Sequence, residues 1–277
     1  MHKVWEDKCS PNKTLGHNPF LINNMDIAIN RIAKAINERE KIVVYGPCNV
    51  DGICSISLLM LLFKYLNADV EYYISEDKQQ NISSKVIGEH VSMLGASLII
   101  SLGCIIESIE QENFIKKLGM EVIALNNCDV KNDFESTLIK YKKGCISTIT
   151  FKLAQAIAAY YNMKSINKYI DLAMIGIYSG NEGIVSGENK VLFDEGIKYI
   201  LKTNNYGLRA LMNYTGINVA NEENINNMIL VMTPTKNAVG TMDNARIVVE
   251  LLTTNNQYRA HQIVKYLNKE VNNSLEL

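Results

Sequence analysis

One carboxylate stands where a strand passes into a helix: Asp51, near the end of the run Val44-Tyr45-Gly46-Pro47-Cys48-Asn49-Val50-Asp51-Gly52. A carboxylate at such a turn is placed to accept hydrogen bonds from the free backbone N–H groups that open the helix, and N-capping is the role expected of it. Three thiols, Cys48, Cys104 and Cys128, fall at or just after the ends of strands. Converging thiolates would hold a soft cation such as Zn²⁺ with Zn–S at ~2.3 Å; taken singly they serve as small apolar fillers, the reading preferred. His2, His17, His90 and His261 stand in no such turn. Lys131, Lys140, Lys142 and Lys143 form the strongest basic cluster, expected to be a solvated loop face, and Lys116-Lys117 reads the same way. Tyr72-Tyr73 and Tyr160-Tyr161 read as strand and helix packing.

The elements that position these residues follow from hydrophobic periodicity. Ile27, Ile29, Ile32, Ala33 and Ile36 make the stripe of a helix that Asn24 is placed to cap. Residues 41–45 are a β-branched run that ends at Gly46-Pro47, hence a buried strand leading into a loop. A nearly all-apolar helix spans residues 52–66. Strands are expected at 69–74, 97–101 and 121–125, with helices at 86–94 and 108–118 between them. Such alternation predicts a parallel sheet in an α/β layer fold, with its site in the crevice at the carboxyl ends of the strands. After about residue 131 the texture turns helical, with helices expected at 148–161, 167–177, 194–202, 207–214, 222–232, 245–253 and 258–272. The division expected is an irregular lead-in over 1–22, an α/β core over 23–135 and a mostly helical part of the same module over 136–277.

Composition excludes several classes. With 47% hydrophobic residues in 277, disorder is out; 16 Gly and 4 Pro exclude collagen-like and low-complexity chains. The longest apolar run, residues 56–63, ends at Lys64, short of the ~20 residues a membrane span needs, so no membrane partner is expected. Residues 1–19 have no apolar leader core, and the six cysteines show no CxxC pair; reduced thiols in the cytoplasm are the expectation. A net charge of −1 gives no overall field to draw polyanions.

The loop around Asp51 resembles the DHH phosphoesterase superfamily, and within it the RecJ single-strand exonucleases, where it reads roughly YGDYDVDG and its aspartates bind metal ions. Further landmarks follow in order: residues 18–28 resemble the family's lead-in helix, and Asn67-Ala-Asp-Val-Glu-Tyr-Tyr-Ile74 its second strand. Phe151-Lys-Leu-Ala154, Gly187-Glu-Asn-Lys190 and Asn237-Ala-Val-Gly240 come later. The resemblance runs from about residue 18 to about 270. It implies a parallel-sheet DHH domain with helices on both faces, followed by a mostly α-helical region packed on it.

The family's charged positions are changed here. Its first-loop aspartates fall on Pro47, Asn49 and Asp51, so one of three is kept. The Asp of its third-strand motif falls on Leu102, ahead of Gly103-Cys104, and its Asp-His-His falls on Asn126-Asn127-Cys128. A later metal-binding Asp lies on Gly180 or Asn181. Two-metal hydrolysis needs several anionic ligands around cations ~3.5–4 Å apart, and neutral Asn oxygens serve only beside charged ones. The arginine of the family's Asn-Ala-x-Gly-Arg stretch, which would face a phosphate, is Thr241. Active members continue through a long helix into a DHH-associated domain that clamps nucleic acid; this sequence ends at Leu277, about where that helix would start.

The function expected from the resemblance is therefore a catalytically inactive RecJ-like protein. It would act as a binding, scaffold or regulatory partner of another protein in DNA replication or repair, with weak or no nucleic-acid binding of its own. The family offers a precedent, since the eukaryotic replicative helicase contains a subunit that looks like an inactivated RecJ. Two alternatives stay open. One is a metal-dependent single-stranded-DNA exonuclease with a non-standard site, the only case that needs Mn or Mg. The other is a nucleotide sensor that uses the emptied crevice, with Gly52 at the helix start and Asn237, Gly240 and Thr241 as ligand contacts. Otherwise no cofactor is expected.

Overall fold

The computed structural model describes residues 15–76, 81–127, 134–142, 144–163, 166–180, 186–236 and 240–275. Five strands make one sheet: β1 (Lys41–Pro47), β2 (Val70–Ser75), β3 (Ala96–Leu102), β4 (Glu121–Asn126) and β5 (Thr137–Lys140). Their order is β2-β1-β3-β4-β5 and every pairing is parallel. β1 is buried from Ile42 to Pro47, as expected of a parallel strand covered on both faces. The chain steps from β1 outward to β2 and then crosses to β3 on the other side of β1. The order thus reverses between β1 and β3, which opens a crevice beyond their carboxyl ends. β5 has no counterpart in the sequence reading: four residues are too few to show a period, and they lie where the texture shifts toward helix.

The first helix, α1 (Met25–Asn37), buries Met25, Ala28, Ile29, Ile32 and Ala33. Asn24 stands at its N-cap but does not cap it: the backbone there is left-handed, with φ 65° and no side-chain cap bond. Its Nδ2 instead donates to the Leu138 carbonyl of β5 at 2.8 Å. α2 (Val50–Tyr65) is buried almost all round; Ile56, Leu58, Leu59 and Leu62 are fully covered, each stabilising the fold by roughly 1.5–3 kcal/mol. Residues 84–94 form a broken helix with a π turn over Ile87–Val91. α3 (Ile109–Lys117) is capped by Ser108, whose hydroxyl accepts from Gln111 N at 3.2 Å.

The remainder is helical: α4 (Ile146–Tyr160), α5 (Ile170–Gly180), α6 (Gly187–Ile200), α7 (Tyr206–Thr215), α8 (Glu222–Met232), α9 (Thr241–Thr253) and α10 (Gln257–Leu275). α6 begins seven residues earlier than its periodicity suggests, at the Gly187-Glu-Asn-Lys190 landmark. One continuous core joins Val44 of the sheet and Ile53 of α2 with Phe151, Ile175, Leu251 and Leu267 of the helical region. A smaller core on the opposite face holds Val43, Tyr45, Ile87, Val91, Ile99 and Ile115. The sheet is therefore covered on both faces, and the helical region packs on one of them.

Two of the sequence landmarks meet in a buried ion pair that fastens the lead-in. Lys152 of α4 and Glu188 of α6 pair with side chains 0% and 1% exposed. Lys152 Nζ also donates to the carbonyls of Leu15 at 2.9 Å and His17 at 2.8 Å, and Gln155 Nε2 donates to Leu15 at 3.0 Å. Glu188 accepts from His17 N at 3.1 Å, and His17 Nδ1 lies 2.5 Å from its second oxygen. Burial pushes the Lys152 pKa down while Glu188 lifts it. Among the described residues no helix is long and apolar enough to cross a membrane.

Candidate functional site

At the carboxyl end of β1 the chain turns into α2, and Asn49, not Asp51, caps that helix. Asn49 is extended, with φ −142°, and its side-chain oxygen accepts from Gly52 N at 2.8 Å. Asp51 lies inside the first turn of α2, and its carboxylate leaves the helix altogether. It accepts from Ile146 N at 3.1 Å and from Ser147 N at 2.8 Å, the first N–H groups of α4, whose own N-cap residue Cys145 makes no side-chain cap bond. Ser147 Oγ donates back to the Asp51 carbonyl at 3.2 Å and lies 3.0 Å from Ser55 Oγ. The expectation that Asp51 caps its own helix is therefore corrected: Asn49 fills that place, and Asp51 accepts from N–H groups of a helix 95 positions further along the chain. Burial pushes the Asp51 carboxyl up, and the hydrogen bonds from Ser147 and Ile146 pull it down less strongly.

Two glycines record how closely the crevice floor is packed. A Cβ on Gly180, at the end of α5, would lie 2.7 Å from Asp51 Oδ2, so no side chain fits there while Asp51 holds α4. A Cβ on Gly52 would meet the Pro47 carbonyl oxygen at 2.3 Å and the Pro47 ring at 2.7 Å. What remains open is a cleft of about 490 Å³ lined by Pro47, Cys48, Asn49, Asp51, Asn127 and Gly180, with Ile229, Thr233 and Pro234 on the α8 side. Among the described residues its lining holds one carboxylate, Asp51, and no Lys, Arg or His.

The other motif positions separate. Leu102 is fully buried at the end of β3, and Asn126 is buried at the end of β4. Gly240, with φ 87°, precedes α9, and the Thr241 carbonyl accepts from the Cys48 thiol at 3.7 Å. Cys128, Asn181 and Asn237 lie outside the described residues. The thiolate site fails on placement: Cys48 packs against the larger core and Cys104 is buried in the smaller one, on opposite faces of the sheet. Burial also pushes the Cys48 thiol up to about 11, so it stays protonated. Cys145, absent from the sequence reading of the site, lines the cleft beside Asp51 with its thiol pushed up to about 12, chiefly by burial. Its signal in the sequence is only its place just before a helix. Among the described residues, no three His, Cys, Asp or Glu side chains come together as a metal site.

The remaining candidates sit elsewhere. Lys140 and Lys142 line a separate groove with His17 and Asn18; Lys131 and Lys143 lie outside the described residues. Lys116 pairs with Glu135 at 2.5 Å. Tyr73 stacks between buried Tyr45 and exposed His90, with centroids 5.4 and 6.0 Å away, and Tyr160 meets Tyr161 edge-on at 5.0 Å.

This topology agrees with known proteins. The profile of the DHH family, N-terminal domain, matches residues 41–177. The single-stranded-DNA-specific exonuclease RecJ of Bacillus subtilis is 27% identical over 92% of this chain. The chain is a RecJ-like member of the DHH superfamily. It spans about a third, 34%, of the length of that curated relative. RecJ of Thermus thermophilus in complex with Mn²⁺ shares the DHH fold with a TM-score of 0.75, at 20% identity over 91% of this chain and 38% of that one. CDC45 from Entamoeba histolytica shares it with a TM-score of 0.54, at 10% identity over 91% of this chain and 72% of the other.

Divalent metal of the kind bound in that RecJ structure does not fit the residues described here. Both oxygens of Asp51 are engaged by α4. Pro47, Asn49, Leu102, Asn126 and Gly180 supply no second charge, and hard cations with oxygen ligands rely on carboxylates to offset dehydration. No hydrolytic step through a metal is therefore derived for this DHH domain.

Proposed function

We propose that this DHH-superfamily chain is a catalytically inactive RecJ-like protein that serves as a binding or scaffold partner of another protein in DNA replication or repair. The observation that carries the reading is the use of Asp51, the one acidic motif position in the described site, as the cap of α4. A buried carboxylate satisfied by two backbone donors holds two layers of the fold together, and each of its oxygens has part of its acceptor capacity already taken. The cleft lining argues against the nucleotide-sensor alternative. A phosphate needs a cation or a helix N-terminus with free N–H groups, yet among the described residues no Lys, Arg or His lines this cleft. The N-termini of α2 and α4 are already capped by Asn49 and Asp51.

The test is degradation of a 5′-labelled single-stranded oligonucleotide in Mn²⁺ by the wild type beside Asp51→Asn, which keeps an acceptor for α4. The proposal expects the same absence of cleavage in both. Cleavage by the wild type that Asp51→Asn abolishes would establish a residual exonuclease and overturn it.

A further inference from the structure

A second concavity of about 240 Å³ opens at the other end of α2 from the cleft, beside Leu61, about 16 Å along the helix from Val50 at 1.5 Å per residue. Leu61, Leu252, Tyr169 and Tyr206 form its apolar side, and Asn204, Asn205, Thr253, Thr254 and Asn255 its polar side. The Arg209 guanidinium lies 4.7 Å from the centre of the Tyr206 ring.

Two side chains of opposite charge line this pocket, Lys168 and Asp171, and they differ in what they lack. Asp171 is 2% exposed and already satisfied, since Leu172 N donates to one oxygen at 2.8 Å and the Thr203 hydroxyl donates to the other. Lys168 holds its ammonium 4.3 Å from the centre of the Tyr65 ring and 4.8 Å from that of Tyr169, and meets no carboxylate among the described residues. Burial alone pushes its pKa down. Lys168 is exposed, and its ammonium, set over ring faces with no carboxylate beside it, is open to an anionic ligand. An apolar side facing a polar one that can orient a ligand is a usual form of a small-molecule site. Its volume has room for about eight water-sized groups at ~30 Å³ each, the size of a benzoate.

We propose that this pocket binds a small planar monocarboxylate, with the carboxylate on the Lys168 ammonium and the ring among Leu61, Tyr169, Tyr206 and Leu252. The site is separate from the cleft, shares no lining residue with it, and stands or falls independently of the function proposed above.

The experiment is calorimetric titration of the full chain with three probes of one shape: benzoate, neutral benzamide and cationic benzamidine. Benzoate is expected to bind at least tenfold more tightly than benzamide, with no binding of benzamidine. Lys168→Met is expected to weaken benzoate at least tenfold without changing the melting temperature, and Thr254→Trp, which adds a bulky ring to the pocket lining, to abolish it. If Lys168→Met fails to fold, the order of the three probes on the wild type and the Thr254→Trp result still decide. No benzoate binding at millimolar concentration, tighter binding of benzamidine, or benzoate affinity untouched by both substitutions would overturn the proposal.

Discussion

Asp51 and Ser147 hold each other twice: the Asp51 carboxylate accepts from Ser147 N at 2.8 Å, and Ser147 Oγ donates to the Asp51 carbonyl at 3.2 Å. Through this pair the first turn of α2, next to the sheet, is fastened to the first turn of α4, in the helical region. The one acidic residue kept at the first-loop positions that the resemblance points to thus serves as a joint in this chain.

Asp51→Ala should destabilise the protein by about 2 kcal/mol, because it removes a cap and leaves buried N–H groups without partners. Asp51→Asn, with one acceptor oxygen, should cost about half as much. Urea midpoints at unchanged slope measure both. Equal stability of all three proteins would show that the Asp51 carboxylate does not hold α4.

Removing one partner of the Lys152–Glu188 pair should cost about 3–5 kcal/mol, since the other is left as an uncompensated buried charge. Lys152→Met combined with Glu188→Leu should recover much of that loss. The lead-in would still lose the Lys152 donors to Leu15 and His17, so limited proteolysis near residues 15–18 should speed up in the double variant while the remainder stays protected. A double variant no more stable than either single one would contradict this account of the joint.

Burial raises the Asp171 carboxyl to about 6, against about 3.9 in an unfolded chain. The folded state therefore holds the proton more tightly. This contribution to stability is complete below about pH 4 and is lost as pH rises through 6, by up to about 3 kcal/mol. Asp171→Asn carries no such titration. Unfolding free energies of the wild type should thus fall relative to Asp171→Asn between pH 4 and 7; parallel curves would refute the buried, raised carboxyl.

The elements legible in the sequence were those with a strong local period. Ile42-Val-Val-Tyr45 before Gly46-Pro47 places β1 and the turn, and the alternation that follows gives the parallel sheet. β5 was not legible because Thr137–Lys140 is too short to show alternation. Asp51 shows the same limit at the site. Its type and its place near a helix start marked it as a cap, but the N–H groups it serves lie 95 positions away, and no local pattern points to them. Asn49, two residues earlier, had the local signal, an Asn three residues before the Gly52 N–H it accepts from. The thiols failed for a related reason: Cys48 and Cys104 both follow strands, but facing opposite cores is a matter of which way each chain turns after its strand ends.

The central claim is that Asp51 holds a helix and not a metal, and a titration of the protein with Mn²⁺ followed by the electron paramagnetic resonance signal of the free ion tests it most directly. The account predicts that the full signal of free Mn²⁺ persists with protein in excess, for wild type and Asp51→Asn alike. Stoichiometric loss of that signal in the wild type, restored in Asp51→Asn, would contradict it.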